Sequence, residues 1–260
     1  MADGKAKRMW ALPNAEITVP KSLLMQGAPP DPVTVPCPAY LIEHPKGLVL
    51  FDTGCHPKVA DDPSYWGPMG SALQVKYPKE VFLDNQVKGL GYKMDDIKYV
   101  VISHLHLDHT GYMSAFPKAR FLIMANELRY AYWPDPYLRG AFIFQDVVPT
   151  RGFDWLELDC DFDLFDDGSL HMLKTPGHTP GECSLYVRLP NRKIVLTGDT
   201  IHIRDQLVTG NAMTLDTDPV QATLSINRIK AIRDLHEATI WISHDPEDWT
   251  DLPHAPTAIE

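Results

Sequence analysis

The segment Ser103-His104-Leu105-His106-Leu107-Asp108-His109-Thr110-Gly111 places four side chains able to bind a metal within six consecutive positions. With 11 His and 25 Asp in 260 residues, an H-x-H-x-D-H string arises by chance in about two chains per thousand, so it is read as chemistry and not as composition. In an extended backbone His104 and His106 turn to one side, while Asp108 and His109, past the turn, are free to serve a neighbouring position. Three further segments offer the same donor types after apolar runs: Thr175-Pro176-Gly177-His178, Thr197-Gly198-Asp199 and Ser243-His244-Asp245. Any one of these histidines alone would read as structural. The ordered set of His104, His106, Asp108, His109, His178, Asp199 and His244 reads as a metal centre.

The elements that must position these residues are short apolar runs closed by turn residues. Residues 39–43 and 47–51 read as strands joined by His44-Pro45-Lys46, the second running into Asp52-Thr53-Gly54. Residues 97–102 form a strand that stops at Ser103, and residues 120–124 form another, followed by a helix over 125–133 closed by Pro134. Strands over 170–174, 183–189 and 193–197 are separated by Pro-Gly and Pro-Asn turns. Asp218 as N-cap and Pro219 at the first helical position open a long helix with an apolar stripe of Val220, Leu224, Ile229, Ile232 and Leu235. A last strand over 239–242 ends at Ser243-His244. Many strands with few helices between them predict two sheets packed face to face, with helices outside.

A chain of 260 residues can be served by one core, and one domain over 1–260 is expected. The net charge of −10 disfavours nucleic acid and anionic membrane as partners. No stretch approaches the roughly 20 apolar residues of a membrane span, and the N-terminal segment alternates apolar with polar residues instead of forming a secretory apolar run, so a cytoplasmic location is expected. Cys37, Cys55, Cys160 and Cys183 lie far apart without a C-x-x-C pair and read as reduced, structural thiols. Of these, Cys55 and Cys183 stand near the motifs in sequence without occupying a ligand position. His44, His56, His171, His236 and His254 fall outside the pattern and read as structural or solvated.

The ordered set from residue 104 to 244 resembles the metallo-β-lactamase superfamily of hydrolases. The resemblance implies an α+β fold, an αββα sandwich of two mixed sheets with helices on the outer faces. Carried over residue by residue, it implies two zinc ions per chain. His104, His106 and His178 would hold one and Asp108, His109 and His244 the other, with Asp199 bridging and Asp52 supporting the site from behind. Two such ions carry about +4 against −2 from carboxylates and −1 from a bridging hydroxide, leaving about +1 and open coordination for a carbonyl oxygen. Asp108 would use its free oxygen to carry a proton to the leaving alkoxide.

The superfamily shares this centre among thioesterases, β-lactamases, nucleases, lactonases and a few redox enzymes, so other features must select the substrate. About 100 residues precede His104 and 16 follow His244, an arrangement unlike glyoxalase II-like thioesterases and without room for a flavin or rubredoxin module. The acidic charge argues against a nuclease, and the lack of an export signal against a β-lactamase. Pro36-Cys37-Pro38-Ala39-Tyr40-Leu41-Ile42 and Phe51-Asp52-Thr53-Gly54-Cys55, together with the metal motifs, are similar to the N-acyl-homoserine lactone lactonases that quench quorum sensing. The similarity covers most of the chain, least over residues 1–30 and 130–165. It implies a small-molecule lactone substrate, and a homodimer is compatible with it. A hydrolase of another lactone, ester or thioester is the alternative, and a non-catalytic metal-binding sensor a further one. One position departs from the pattern. Those lactonases often carry a tyrosine three residues after the bridging aspartate, and here His202 stands there, whose neutral imidazole N–H could donate to the substrate carbonyl in the same way. Tyr130, Tyr132, Trp133, Tyr137, Phe142 and Phe144, with Met25, Tyr65 and Trp66, either wall an apolar acyl pocket or pack a helix onto the sheets.

Overall fold

Strand period and turn chemistry decide where the donors end up. In the computed structural model, which describes residues 4–260, the first strands are β1 (Arg8–Leu12), β2 (Glu16–Pro20), β3 (Pro32–Pro36), β4 (Ala39–His44), β5 (Gly47–Phe51), β6 (Gln74–Lys76) and β7 (Ile97–Val101). There follow β8 (Arg120–Met124), β9 (Asp154–Leu158), β10 (Phe162–Asp163), β11 (Leu170–Lys174), β12 (Cys183–Arg188), β13 (Lys193–Leu196) and β14 (Thr239–Trp241). Met1–Asp3, at the start of the N-terminal segment, lie outside the described residues.

One mixed sheet runs β1-β4-β5-β7-β8-β9 and a second runs β10-β11-β12-β13-β14. Alternation along the strands gives each sheet two apolar faces. Ile42, Phe51, Val101 and Leu122 of the first sheet meet Met172, Leu185, Ile194 and Trp241 of the second in a shared core. Their neighbours Leu41, Leu50, Val100 and Phe121 face outward onto Leu83, Val87 and Ala131 of flanking helices. On the far side Val195 and Ile240 pack against Ile226 and Ile229 of the helix Pro219–His236. The αββα layering expected from the sequence is therefore the observed one. Among the described residues no helix is long and apolar enough to cross a membrane.

Two features depart from the sequence reading. A third sheet, β3-β2-β6, was not legible, and its apolar residues Ile17, Val19 and Val35 cluster with Cys37, Cys55 and Leu107 beside the metal motif. The long helix also turns only part of its expected stripe inward: Ile229 is buried and Ile232 packs beside it, but Ala222, Ser225 and Ile226 complete the buried face, whereas Val220, Leu224 and Leu235 are 70%, 55% and 80% exposed. The small residues win because the His178 turn must lie on this helix. A Cβ on Gly177, which sits at φ +142°, would stand 2.3 Å from the Ala222 nitrogen, and the Ser225 hydroxyl donates to the Pro176 carbonyl at 2.7 Å.

Parallel pairing gathers the chemistry at one rim. β5 pairs with β7 and β13 with β14 in parallel, so Asp52, Ser103-His104, Gly198-Asp199 and Ser243-His244 all follow carboxyl ends of strands, where open sheets leave room for a ligand. The helix over 219–236 begins as expected, with the Asp218 carboxylate accepting the N–H groups of Val220 and Gln221, both at 3.0 Å. Replacing Asp218 with Ala should cost about 1 kcal/mol, read as a lower urea midpoint with an unchanged slope. An unchanged midpoint would remove the cap from the account of how the His178 turn is held.

Candidate metal centre

The seven sequence-selected donors converge, and Asp199 lies at their middle. Its Oδ2 is 3.7 Å from His104 Nε2 and 3.4 Å from His178 Nε2, and its Oδ1 is 3.2 Å from His109 Nε2 and 3.0 Å from His244 Nε2. His106 Nδ1 is 3.0 Å from His178 Nε2, and Asp108 Oδ2 lies 3.6 Å and 3.5 Å from His109 and His244. Donor atoms of His104, His106, His178 and Asp199 all fall within 4.8 Å of one another, as do those of His109, Asp199 and His244. One carboxylate thus presents one oxygen to each of two donor groups.

Four of the rings, those of His104, His109, His178 and His244, are anchored through the other ring nitrogen, which sets how each points, while His106 Nε2 has no hydrogen-bond partner. His109 Nδ1 is 2.9 Å from Asp52 Oδ2, His178 Nδ1 is 3.0 Å from Asp216 Oδ1, and His244 Nδ1 is 2.6 Å from the Pro36 carbonyl. His104 Nδ1 has two neighbours at 3.0 Å, the Ser103 hydroxyl and Glu182 Oε2. A carbonyl can only accept, so His244 carries its proton on Nδ1 and turns the Nε2 lone pair towards the carboxylates. Two acceptors 3.0 Å apart call for a cation between them or a proton on the ring.

Fit to a cation follows from the same atoms. His104 Nε2, His109 Nε2 and Asp199 Oδ1 are buried without a hydrogen-bond partner, each a cost of about 1–3 kcal/mol if left so. Burial and the neighbouring rings push His104 and His106 well below the ordinary histidine range, the state in which imidazole binds a metal. At His109 and His244 burial also opposes charge, but Asp199 outweighs it and raises both. Burial would raise the Asp199 carboxyl, yet His244 and His109 hold it well below the carboxylate range.

Asp52 ends β5 in the left-handed region at φ +56° and accepts the Ser103 N–H and hydroxyl, both at 2.8 Å. The motif then closes on this turn: a Cβ on Gly111 would stand 2.0 Å from the His56 nitrogen. Glu182, Asp216 and the Pro36 carbonyl were not found from sequence. An acidic residue opening the buried strand β12 was a usable signal for Glu182, which also accepts the Asp199 N–H at 3.0 Å. Asp216 and Pro36 carried none.

A pocket opens onto the centre, lined at its floor by His106, Asp108, His178, Asp199, His202 and His244. His202 therefore faces the site. Its Nε2 is 3.2 Å from Asp199 Oδ2, its ring stacks on His244 with centroids 5.9 Å apart, and neither ring nitrogen has a hydrogen-bond partner. The walls decide between the two aromatic readings against pocket lining. Among the described residues that line the pocket there is no Phe, Tyr or Trp, and Met25 does not line it either. Phe142 packs edge-on against His106 and Tyr130, while Trp133 and Tyr137 face solvent. All four cysteines are free; Cys37 is grouped with Asp108 and His244, and Cys55 packs beside Cys37 and Leu107 without joining a donor group.

Compared with known proteins, residues 32–244 match the family model of the metallo-beta-lactamase superfamily. The chain is 36% identical over 228 residues to the N-acyl homoserine lactonase AttM of Rhizobium radiobacter, covering 85% of this chain and 86% of that protein. It is 25% identical over 245 residues to the N-acyl homoserine lactonase AiiA of Bacillus thuringiensis subsp. kurstaki, covering 93% and 94%. Among solved structures, an N-acyl homoserine lactone hydrolase with N-hexanoyl-L-homoserine at its catalytic metal centre superposes with a TM-score of 0.88 at 23% identity, covering 98% of this chain and 100% of that one. The dizinc lactonase AidC superposes with 0.71 at 19% identity, covering 99% and 97%.

Behind the motif, Asp146 accepts from the Tyr65 hydroxyl at 2.5 Å, and burial pushes its carboxyl up to about 7 from 3.8. The folded chain then holds this proton over a range in which the unfolded chain has lost it. The contribution to stability is full below about pH 3.8 and is lost as pH rises through about 7. Asp146→Asn should consequently gain stability relative to the parent as pH is raised from 4 to about 7.5, measured by urea midpoints. A parent-to-variant difference that does not change with pH would show that Asp146 keeps an ordinary carboxyl.

Proposed function

The chain belongs to the metallo-β-lactamase superfamily, and from that premise we propose that it is a metal-dependent hydrolase opening the ring of N-acyl-homoserine lactones. The observation that carries the reading is the joining of a seven-donor centre to an aliphatic pocket in a chain more than one third identical to a lactonase over most of its length. His104, His106 and His178 would hold one zinc ion, Asp108, His109 and His244 a second, with Asp199 shared and Asp52 fixing His109. When bound, such a pair of ions polarises a carbonyl oxygen and brings the pKa of water to about 7.

The chain's own residues supply the rest. Ile17, Val19, Leu24, Val35, Leu138 and Met213 line the pocket and would bury the acyl chain at roughly 25 cal/mol per Å², holding the lactone carbonyl over the histidine floor. Asp108, the least buried of the seven, lines the pocket and would pass a proton to the ring oxygen as the C–O bond breaks. Opening yields a carboxylic acid and an alcohol, and the acid releases one proton at neutral pH. We place the enzyme in the cytoplasm on its four unpaired thiols.

A pH-stat comparison of lactones, thioesters and β-lactams, run with elemental analysis, tests the reading. About two zinc-type ions per chain and higher kcat/KM on N-acyl lactones than on the bare ring are expected. Faster turnover of a thioester or β-lactam than of every lactone would overturn the substrate assignment, and one ion or fewer with full activity would overturn the two-ion centre.

His202 is read as the donor to the substrate carbonyl. Burial lowers its pKa against the pull of Asp199, which keeps the ring neutral at pH 7 with one N–H to offer. Its backbone N–H donates to Gln206 Oε1 at 2.6 Å, so the loop that carries the ring is fixed. His202→Ala should lower kcat by about 10²-fold with metal content unchanged, and His202→Tyr should recover part of the loss. Parent kinetics in the Ala variant would leave carbonyl activation to the metals alone.

A further inference from the structure

Beyond the seven donors, one more metal-binding side chain reaches the centre, from a part of the chain that the histidine motifs do not cover. Cys37 follows β3 and is buried between Pro36 and Pro38. Its position is set three times over. Its N–H donates to the Ala15 carbonyl at 2.9 Å, Pro38 confines residue 37 to extended conformations, and the preceding carbonyl, that of Pro36, holds His244 Nδ1 at 2.6 Å. The tripeptide that orients His244 thus also carries a sulfur beside it. Cys37 Sγ, a carboxylate oxygen of Asp108 and a ring nitrogen of His244 lie within 4.8 Å of one another. At a tetrahedral angle one Zn–S and one Zn–O bond set their donor atoms about 3.6 Å apart, so side-chain rotations that draw the three atoms together by up to about 1 Å let one cation touch them.

We infer that Cys37 is a donor to the cation held by Asp108 and His244, making that half of the centre sulfur-containing and selective for thiophilic divalent ions such as zinc, cobalt and cadmium. The inference rests on the two-cation reading above. The His104, His106 and His178 half has only nitrogen and oxygen donors, so the two halves are chemically unequal. On binding, the thiol loses its proton to solvent and the sulfur lends an electron pair to the ion; nothing is oxidised or reduced. A neighbouring cation favours the thiolate that burial alone disfavours. Cys55, the other thiol of this wall, is a free thiol within hydrogen-bonding reach of Cys37 and is not among the grouped donors.

Stripping the full-length protein of metal and titrating it with Co²⁺ tests this without any substrate. Two cobalt ions per chain with visible ligand-field bands are expected, together with a near-ultraviolet sulfur-to-cobalt charge-transfer band that grows with one of the two ions. Cys37→Ser should lose that band, keep the visible bands and bind the second ion at least about tenfold more weakly. Cys55→Ala should keep the band. Two bound cobalt ions without the band in the parent would overturn the donor assignment and leave the two-cation reading standing, and this spectrum decides even where the Ser variant folds poorly. A band that survives Cys37→Ser, or that is lost in Cys55→Ala, would overturn it as well. Failure to bind a second cobalt ion would overturn both readings together.

Discussion

Asp199 is a buried carboxylate with imidazoles facing both of its oxygens, and the surrounding architecture is organised by that arrangement. Taking a charged carboxylate out of water is costly unless charge and hydrogen bonds replace the solvent. Here five rings, on His104, His109, His178, His202 and His244, stand within 3.7 Å of it, yet His104 Nε2, His109 Nε2 and Asp199 Oδ1 remain without hydrogen-bond partners. An arrangement of converging lone pairs is unfavourable alone and favourable around cations. The fold supplies the rigidity that keeps it from collapsing, because the donors follow strands held in register, β7, β11 and β13 by neighbours on both sides and β14 by β13.

Rigidity at the strand ends would be insufficient if the rings could swing. Each anchored ring therefore draws on a residue from another element: Asp52 for His109, Asp216 for His178, the Pro36 carbonyl for His244, and Ser103 with Glu182 for His104. Glu182 binds the Asp199 backbone as well, so one buried carboxyl sets a ring and the shared carboxylate at once. Burial and the charge of Asp199 push the Glu182 carboxyl well upward, the direction that limits repulsion between two acids so placed.

How much of this was legible in sequence follows from how local each signal is. The donors and the strands that end at them could be read because apolar runs and Pro-Gly turns act over a few residues. The small sheet of β2, β3 and β6 could not, since two of its three strands carry proline and its pairing joins residues 16–18 to 74–76 across a long separation. The long helix and its cap are legible, and of its apolar stripe Ile229 and Ile232 do face the sheet while Val220, Leu224 and Leu235 do not. Apolar content points to Val220 and Leu224, whereas close approach of the Pro176–His178 turn demands Ala222 and Ser225. The aromatic residues left two readings open because composition does not distinguish a wall from packing, and Phe142 and Tyr130 are spent in packing behind His106.

The small sheet, absent from the sequence reading, also joins the two tasks of the site. Val35 lines the apolar pocket, Pro36 orients His244 through its carbonyl, and Cys37 stands against Asp108 and His244, three consecutive residues at the end of one strand. Met213 already links them, since its N–H donates at 2.8 Å to the Asp216 carboxylate that holds His178, whereas at Leu138, which carries none of the anchoring hydrogen bonds, recognition and metal holding are separable. At β3 they are not. A change that widens the pocket at Val35 displaces the backbone that holds His244 one residue later, and a 2.6 Å contact leaves little slack for that movement. The proposed acyl specificity and the affinity for the second cation are thus coupled through this strand, and variation in the pocket is less constrained at Leu138.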